Sequence, residues 1–478
     1  MKKFFIIALV VLLVCGIGAA AVFYYHQAKY ITIGDQVIAR DATYLNLHDE
    51  PLAEPEKLAE LKQLTQLDLL GTGITTEQYL WLKDRLPNCQ ISWSVPFQGQ
   101  YYHNETSLLR ITQLSQADID QLVYFPNLAH IDAPDCRDYA ALQALKARYP
   151  QCDVRYQIAL GDLKLEPTVT ELTLNGPDIS ELEEALPYLP ELQTITLTGA
   201  LPGNEAIHKL QLAYPGITFI WRFTLCGVEV TSQDTLVDLS NIPMESTQEV
   251  EAALGYFNNL ERVIMCDCGI SNEEMDAMGQ RNPNVRFVWT VSLGPNIRLR
   301  TDATYFMPYQ YRCSFTDKDT ANLKYCIDLI CLDIGHFPIS DVSFLAYMPH
   351  MKYLIIALTN VTDISAMTGM QELEYAELFT TGIEDYSPLL TCPNLRDLNI
   401  CYATPKDCSV LCQLTQLENL YIKEWTPVPY IDELKAALPH VNIVYKSKES
   451  PSSTADGWRN LPRYYQMRDV LGMFYLKG

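Results

Sequence analysis

The stretch NICYATPKDCSVLC carries three cysteines, Cys401, Cys408 and Cys412. Thiols at that density can hold zinc, close a disulfide or run redox chemistry. A second cluster, Cys266-Asp267-Cys268, offers two thiols and a carboxylate. Zinc needs ligands that converge on a tetrahedron, so spacing alone decides nothing; the direction of each thiol does. The chain has 14 cysteines, and 13 remain once Cys15 of the N-terminal apolar segment is set aside. An odd number in an exported chain leaves a thiol free or bonded to another molecule. Most are expected to stay reduced. Other chemistry is harder to find. There is no G-x-S-x-G, H-E-x-x-H, Walker loop or G-x-G-x-x-G. The eight histidines are scattered, and no nucleophile–base set can be named. The residues therefore point to no enzyme, no cofactor and no metal.

The elements that position these side chains are set by a repeat. LICLDI, MKYLII, LEYAEL, LRDLNI and LENLYI begin at Leu329, Met351, Leu373, Leu395 and Leu417, a constant step of 22 residues. This is L-x-x-L-x-L at a period inside the leucine-rich repeat range of about 20–29. Its leucines point inward, and strand alternation sends the intervening residues to a concave surface. That surface receives Tyr353, Tyr375, Glu377, Phe379, Asp397, Asn399 and Tyr421. Exposed aromatics among acids suit recognition of a protein or a surface glycan. The same register sends Cys401 to the concave face, Cys408 inward and Cys412 to the convex wall, so the three thiols diverge. Asp341, Asp363, Asp385 and Asp407 recur at one offset, each two residues before a serine. Aspartates there can accept backbone N–H bonds at the start of a short helical turn. One carboxylate per coil is a thin supply for calcium.

The N-terminal half repeats at longer spacing. Pro87, Pro150, Pro215, Pro283 and Pro439 are each followed six residues later by an aromatic: Trp93, Tyr156, Trp221, Trp289 and Tyr445. Helix-like patterns precede some of them, as in Thr75 to Pro87 and Glu205 to Pro215. Each long unit reads as three leucine-rich coils, some with convex helices. Lys446 to Gly457 has linker composition. The tail beyond it carries Arg459, Arg463, Arg468 and Lys477 against Asp469. Either it folds back to cap the open end of an acidic solenoid or it is a docking peptide for another protein.

The net charge of −23 excludes nucleic acid as a partner, because phosphate binding needs clustered Lys and Arg. It also disfavours anionic lipid. At the N-terminus, Lys2 and Lys3 precede an uncharged run from Phe4 to Tyr25, long enough to cross a bilayer as a helix. An uncleaved anchor accounts for the whole run, with Tyr24 and Tyr25 at the interface and Ala28 onward outside. A cleaved signal ending at Ala19 to Ala21 would use a shorter apolar region. Lipidation at Cys15 conflicts with the bulky Val14.

The unit LTNVTDISAM (Leu358 to Met367) resembles the 22-residue repeats of the internalin family of bacterial surface proteins. The resemblance spans Leu329 to Lys423. It implies a curved solenoid with parallel strands on the concave side and short 3₁₀ segments on the convex side, and it leaves the ligand open. The expected fold class is α/β: a leucine-rich repeat solenoid with a concave parallel β-sheet, preceded by one transmembrane helix. The expected domains are 1–27 as membrane anchor or uncleaved signal, and 28–300 as an irregular array in units of about 65 residues. Residues 301–328 would be a connector, 329–446 the regular array with a C-terminal strand, and 447–478 the linker and tail. The expected function is non-catalytic extracytoplasmic binding of a protein or surface glycan, adhesin- or receptor-like, on a single-pass protein of the cell membrane. The alternative is an envelope scaffold or spacer with no specific ligand.

Overall fold

A computed structural model describes residues 13, 15, 17–18, 22–311, 314–422, 428–445 and 457–473. The chain forms two compact units, 1–218 and 219–478.

In the first unit, parallel strands come in short sets separated by antiparallel hairpins. The hairpin Tyr30–Ile33/Gln36–Ala39 comes first. Strands Tyr44–Asn46, Gln66–Leu69 and Gln90–Phe97 then pair in parallel. The last of them runs on into an antiparallel pairing with Gln100–His103. A second parallel set, Leu108–Arg110, His130–Ala133 and Asp153–Tyr156, is followed by the hairpin Ile158–Leu160/Leu163–Leu165. A third begins with Glu171–Asn175 and Thr194–Thr198.

The second unit opens in the same style. The hairpin Arg222–Leu225/Val228–Thr231 leads to the parallel strands Leu236–Asp238, Arg262–Ile264 and Arg286–Val288. The hairpin Thr290–Ser292/Arg298–Arg300 closes that set. A continuous parallel sheet of seven strands follows, from Tyr305–Phe306 to Asn442–Val444. Its inner leucines and isoleucines, among them Leu332, Leu354, Leu398 and Leu420, are fully buried.

The convex elements follow local sequence. Longer segments with good helix formers make α-helices, such as Thr76–Arg85, Tyr139–Arg148 and Asn204–Ala213. The first carries a capping box between Thr75 and Gln78. The 22-residue coils turn through shorter segments, 3₁₀ at Ser343–Tyr347, Ser365–Met367 and Ser387–Thr391 and a single α-turn at Cys408–Leu411. There Asp341, Asp363, Asp385 and Asp407 each accept the N–H two residues on, from Ser343, Ser365, Ser387 and Ser409, at 2.8 Å. Those bonds hold the carboxyls of Asp363, Asp385 and Asp407 below the usual range.

The hairpins were not foreseen. Two of them turn on Gln98-Gly99 and Cys226-Gly227, with both residues at positive φ. That is the geometry matching right-handed strand twist, and glycine supplies its second position without strain. A hairpin ends a parallel ladder, and a buried polar residue serves the freed backbone. Asn104 accepts from Trp93 N–H at 3.1 Å and donates to Ile91 C=O at 3.0 Å. Ser232 does the same for Trp221 N–H and Phe219 C=O, at 3.2 and 2.9 Å. Thr301 accepts from Trp289 N–H at 3.1 Å. The tryptophans six residues after Pro87, Pro215 and Pro283 thus mark where a ladder stops.

Among the described residues, no helix is long and apolar enough to cross a membrane. This overturns the transmembrane helix, the signal-anchor reading and the single-pass placement in the cell membrane. The helical stretch 22–29 includes His26 and Lys29. At 1.5 Å per residue it covers roughly 12 Å of the ~30 Å a bilayer core requires. Most of the apolar run, residues 4–12, 14, 16 and 19–21, lies outside the described residues.

Candidate recognition face

The parallel register of the seven-stranded sheet fixes two rows of side chains opposite the leucine core. One row runs Cys331, Tyr353, Tyr375, Asp397, Asn419, Asn442. The other runs Asp333, Ile355, Glu377, Asn399, Tyr421, Val444. Phe379 lies one alternation beyond Glu377. All seven expected site residues therefore share this face, and all seven are buried.

They are buried because residues 457–473 lie on them. The tail folds back, but onto the sheet face opposite the leucines rather than over an open end of the solenoid. Gly457 enters at φ 82°, a left-handed turn, and a Cβ there would come within 3.3 Å of the Tyr421 hydroxyl. Trp458 follows, with 0% exposure. Its ring sits 4.9 Å from Tyr375 and 4.9 Å, edge-on, from Tyr421. Its Nε1–H donates to Glu377 Oε1 at 2.8 Å. The helix Pro462–Val470 then starts with proline in its first turn, where no N–H is needed. Tyr464, Met467 and Leu471 recur at i, i+3 and i+7, and that stripe is the one buried. Together with Tyr353, Tyr375, Phe379, Cys401 and Tyr421 they form a second hydrophobic core, on the opposite side of the sheet from the leucines.

Polar groups fix the seam. Arg463 donates to both Glu418 oxygens, at 2.8 and 3.1 Å, and to Asp397 Oδ1 at 3.3 Å. Asp397 also ends a ladder in which Asn442 donates to Asn419 at 3.0 Å and Asn419 to Asp397 at 2.8 Å. Tyr353 donates to Gln466 at 3.4 Å. The Tyr375 hydroxyl donates to Glu377. Burial raises the carboxyls of Glu377 and Asp397, against the opposing pull of these donors. Asp333 is pushed up to about 7 by burial, opposed by the Gly335 N–H and reinforced by Glu377. Such a face can clamp an indole and a guanidinium.

Trp458, Glu374 and Glu418 were missed, and Arg463 was read only as one of the basic residues of the tail. The spacing of Tyr464, Met467 and Leu471 was the available signal for the tail, although periodicity does not say which surface a helix meets. The three opening thiols take different settings: Cys401 lies under the tail, Cys408 is buried and Cys412 is half-buried. No disulfide joins any of the thirteen described cysteines.

No family model matches this chain, and no curated protein does. Solved structures similar to it include an internalin (inlF) from Listeria monocytogenes, 16% identical over 87% of this chain and 91% of that one, with a TM-score of 0.24. Internalin C2 from the same species is 16% identical over 46% of this chain and 77% of that one, with a TM-score of 0.23. A leucine-rich repeat protein of Leptospira interrogans is 14% identical over 84% of this chain and 96% of that one, with a TM-score of 0.24. The chain is a leucine-rich repeat protein by its own repeat register and parallel sheets, and its regular coils resemble internalin repeats.

Proposed function

We propose that this chain is a non-catalytic, protein-binding repeat protein. Its recognition surface is the face bearing Tyr353, Tyr375, Glu377, Phe379, Asp397, Asn399 and Tyr421. One observation carries the reading: the face already holds a peptide, with a desolvated aromatic anchor ringed by polar contacts. That is the anatomy of a protein–protein hot spot. The same contact favours a second reading, because a face sealed for good needs no ligand and suits a scaffold.

Capture of partners by the full chain separates the two. Wild type is compared with a Tyr353→Ala/Phe379→Ala double variant, with folding checked by circular dichroism. Under the recognition reading, a protein held by wild type is lost from the variant. Equal capture by both would end it and leave the scaffold.

A further inference from the structure

We propose that the concave face is a groove for a short protein segment presenting an indole and, five residues on, a guanidinium. Residues 457–473 occupy that groove in cis as a stand-in, so a partner enters by displacing the tail. The inference rests on the recognition reading above and deepens it.

Four observations point to a displaceable occupant rather than a permanent part of the fold. First, the leucine core of the coils is complete without the tail, which contributes only to the separate cluster on the other side of the sheet. Second, the seam is charged where a permanent core would be apolar. Glu377 and Asp397 are 8% and 0% exposed, and they receive an indole N–H and a guanidinium from the tail. Buried charges of this kind are costly to desolvate and are weak evidence of a stabilising role. With the tail away, both carboxylates would be hydrated, so the open face carries no unpaired buried charge. Third, the fit is incomplete. A cleft of about 530 Å³ remains between sheet and tail, lined among others by Asp333, Phe379, Arg459 and Tyr464. Fourth, the charges are complementary. Residues 457–473 carry Arg459, Arg463 and Arg468 against Asp469, while the face supplies Asp333, Glu374, Glu377, Asp397 and Glu418.

Tethering sets the strength of this gate. The tail joins the last strand through residues 446–456, KSKESPSSTAD, a short linker by composition. A short tether holds its occupant at an effective concentration on the order of 1 mM. If the segment alone binds at ~1 µM, the groove is closed ~1,000 to 1, and a free competitor loses ~1,000-fold in apparent affinity.

The test keeps every residue of the chain. A protease site is inserted among residues 446–456, and a fluorescent peptide of residues 457–473 is the probe. Before cleavage the peptide should bind at least ~100-fold more weakly than after cleavage and washing. Peptides carrying W458A or R463E should lose most of that binding. Any of the following results would overturn the proposal. The cut tail could stay in place against excess peptide while the protein remains folded. The cut protein could lose its thermal transition, which would make the tail part of the fold. The peptide could bind equally before and after cleavage. A dimer of the full chain that falls apart on cutting would assign the tail to a second copy, and would also end the cis assignment. Partner capture that depends on Tyr353 and Phe379 but ignores added tail peptide would sink this inference and leave the recognition face standing.

Discussion

The hairpin-punctuated parallel sets and the seven-stranded sheet solve one problem in opposite ways. Both stack parallel strands over leucines. The former stop after a few strands and spend a hairpin on closing each ladder, with a buried Asn, Ser or Thr at three of them. The latter runs unbroken through seven strands at one 22-residue step. Only the unbroken sheet gains a surface wide enough for an indole, a helix and an ion-pair network side by side. A regular repeat therefore makes a broad face, and a broad aromatic face then needs cover.

The sharpest way to break this comparison is to loosen the cover. Trp458→Ala removes a fully buried indole, which costs about 3–5 kcal/mol. Residues 457–473 should then be cleaved by protease more than ~100-fold faster, with the leucine core still protected from hydrogen exchange. Unchanged cleavage would mean that the indole does not anchor the tail.

The ladder stops should be nearly as sensitive. Asn104→Leu strands the Trp93 N–H and the Ile91 C=O, at about 1–3 kcal/mol each. Asn399→Leu in the unbroken sheet removes only the acceptor of the Cys401 N–H, so about 1 kcal/mol is expected. Urea denaturation of both variants checks the contrast. Similar losses would erase the distinction between plugged and continuous ladders.

The two surfaces of the regular array should respond to pH with opposite signs. Asp333 holds its proton up to about 7, above the ~4 of an unfolded chain. The folded state thus binds more protons between those values, and this group's contribution to stability falls as pH rises from ~4 to about 7. Asp333→Asn should flatten that slope in denaturation midpoints. Glu377 and Asp397, also raised, share its sign. Asp363, Asp385 and Asp407 are depressed, so their contribution holds above ~4 and is lost in acid. A slope surviving in Asp333→Asn would place its origin elsewhere. The smallest effect is at one exposed carboxylate: Asp385→Ala, which removes the acceptor of the Ser387 N–H, should lower the thermal midpoint only slightly.

The sequence disclosed the face better than its state. A strict period of 22 fixes which residues alternate outward, so Tyr353 and Tyr375 could be read as neighbours before any coordinates. Nothing in that period reveals that the neighbours are covered. Tyr464, Met467 and Leu471 show that the tail has an apolar stripe, and Arg459, Arg463 and Arg468 that it seeks acid. Both signals fit an open end of the solenoid as well as its concave face. The hairpins were legible in retrospect, since Gly34, Gly99, Gly161, Gly227 and Gly294 recur at similar intervals between short strand-like runs. They were hidden because a two-residue turn leaves little trace beside the stronger leucine pattern. At the N-terminus, apolar length alone suggested a spanning helix, and the described helical stretch is too short and too polar for one.

The ladder stops have a consequence for how such a chain can change in length. Asn104, Ser232 and Thr301 let three of the blocks finish their own backbone pairing. Copying or deleting one whole block in frame would leave no strand edge asking for a new partner. An event cutting through the seven-stranded sheet would expose one at once, and would shift the tail's anchoring pockets out of line. The punctuated blocks are free to vary in number across descendants of this gene, while the unbroken sheet is held to a fixed count by the peptide it carries.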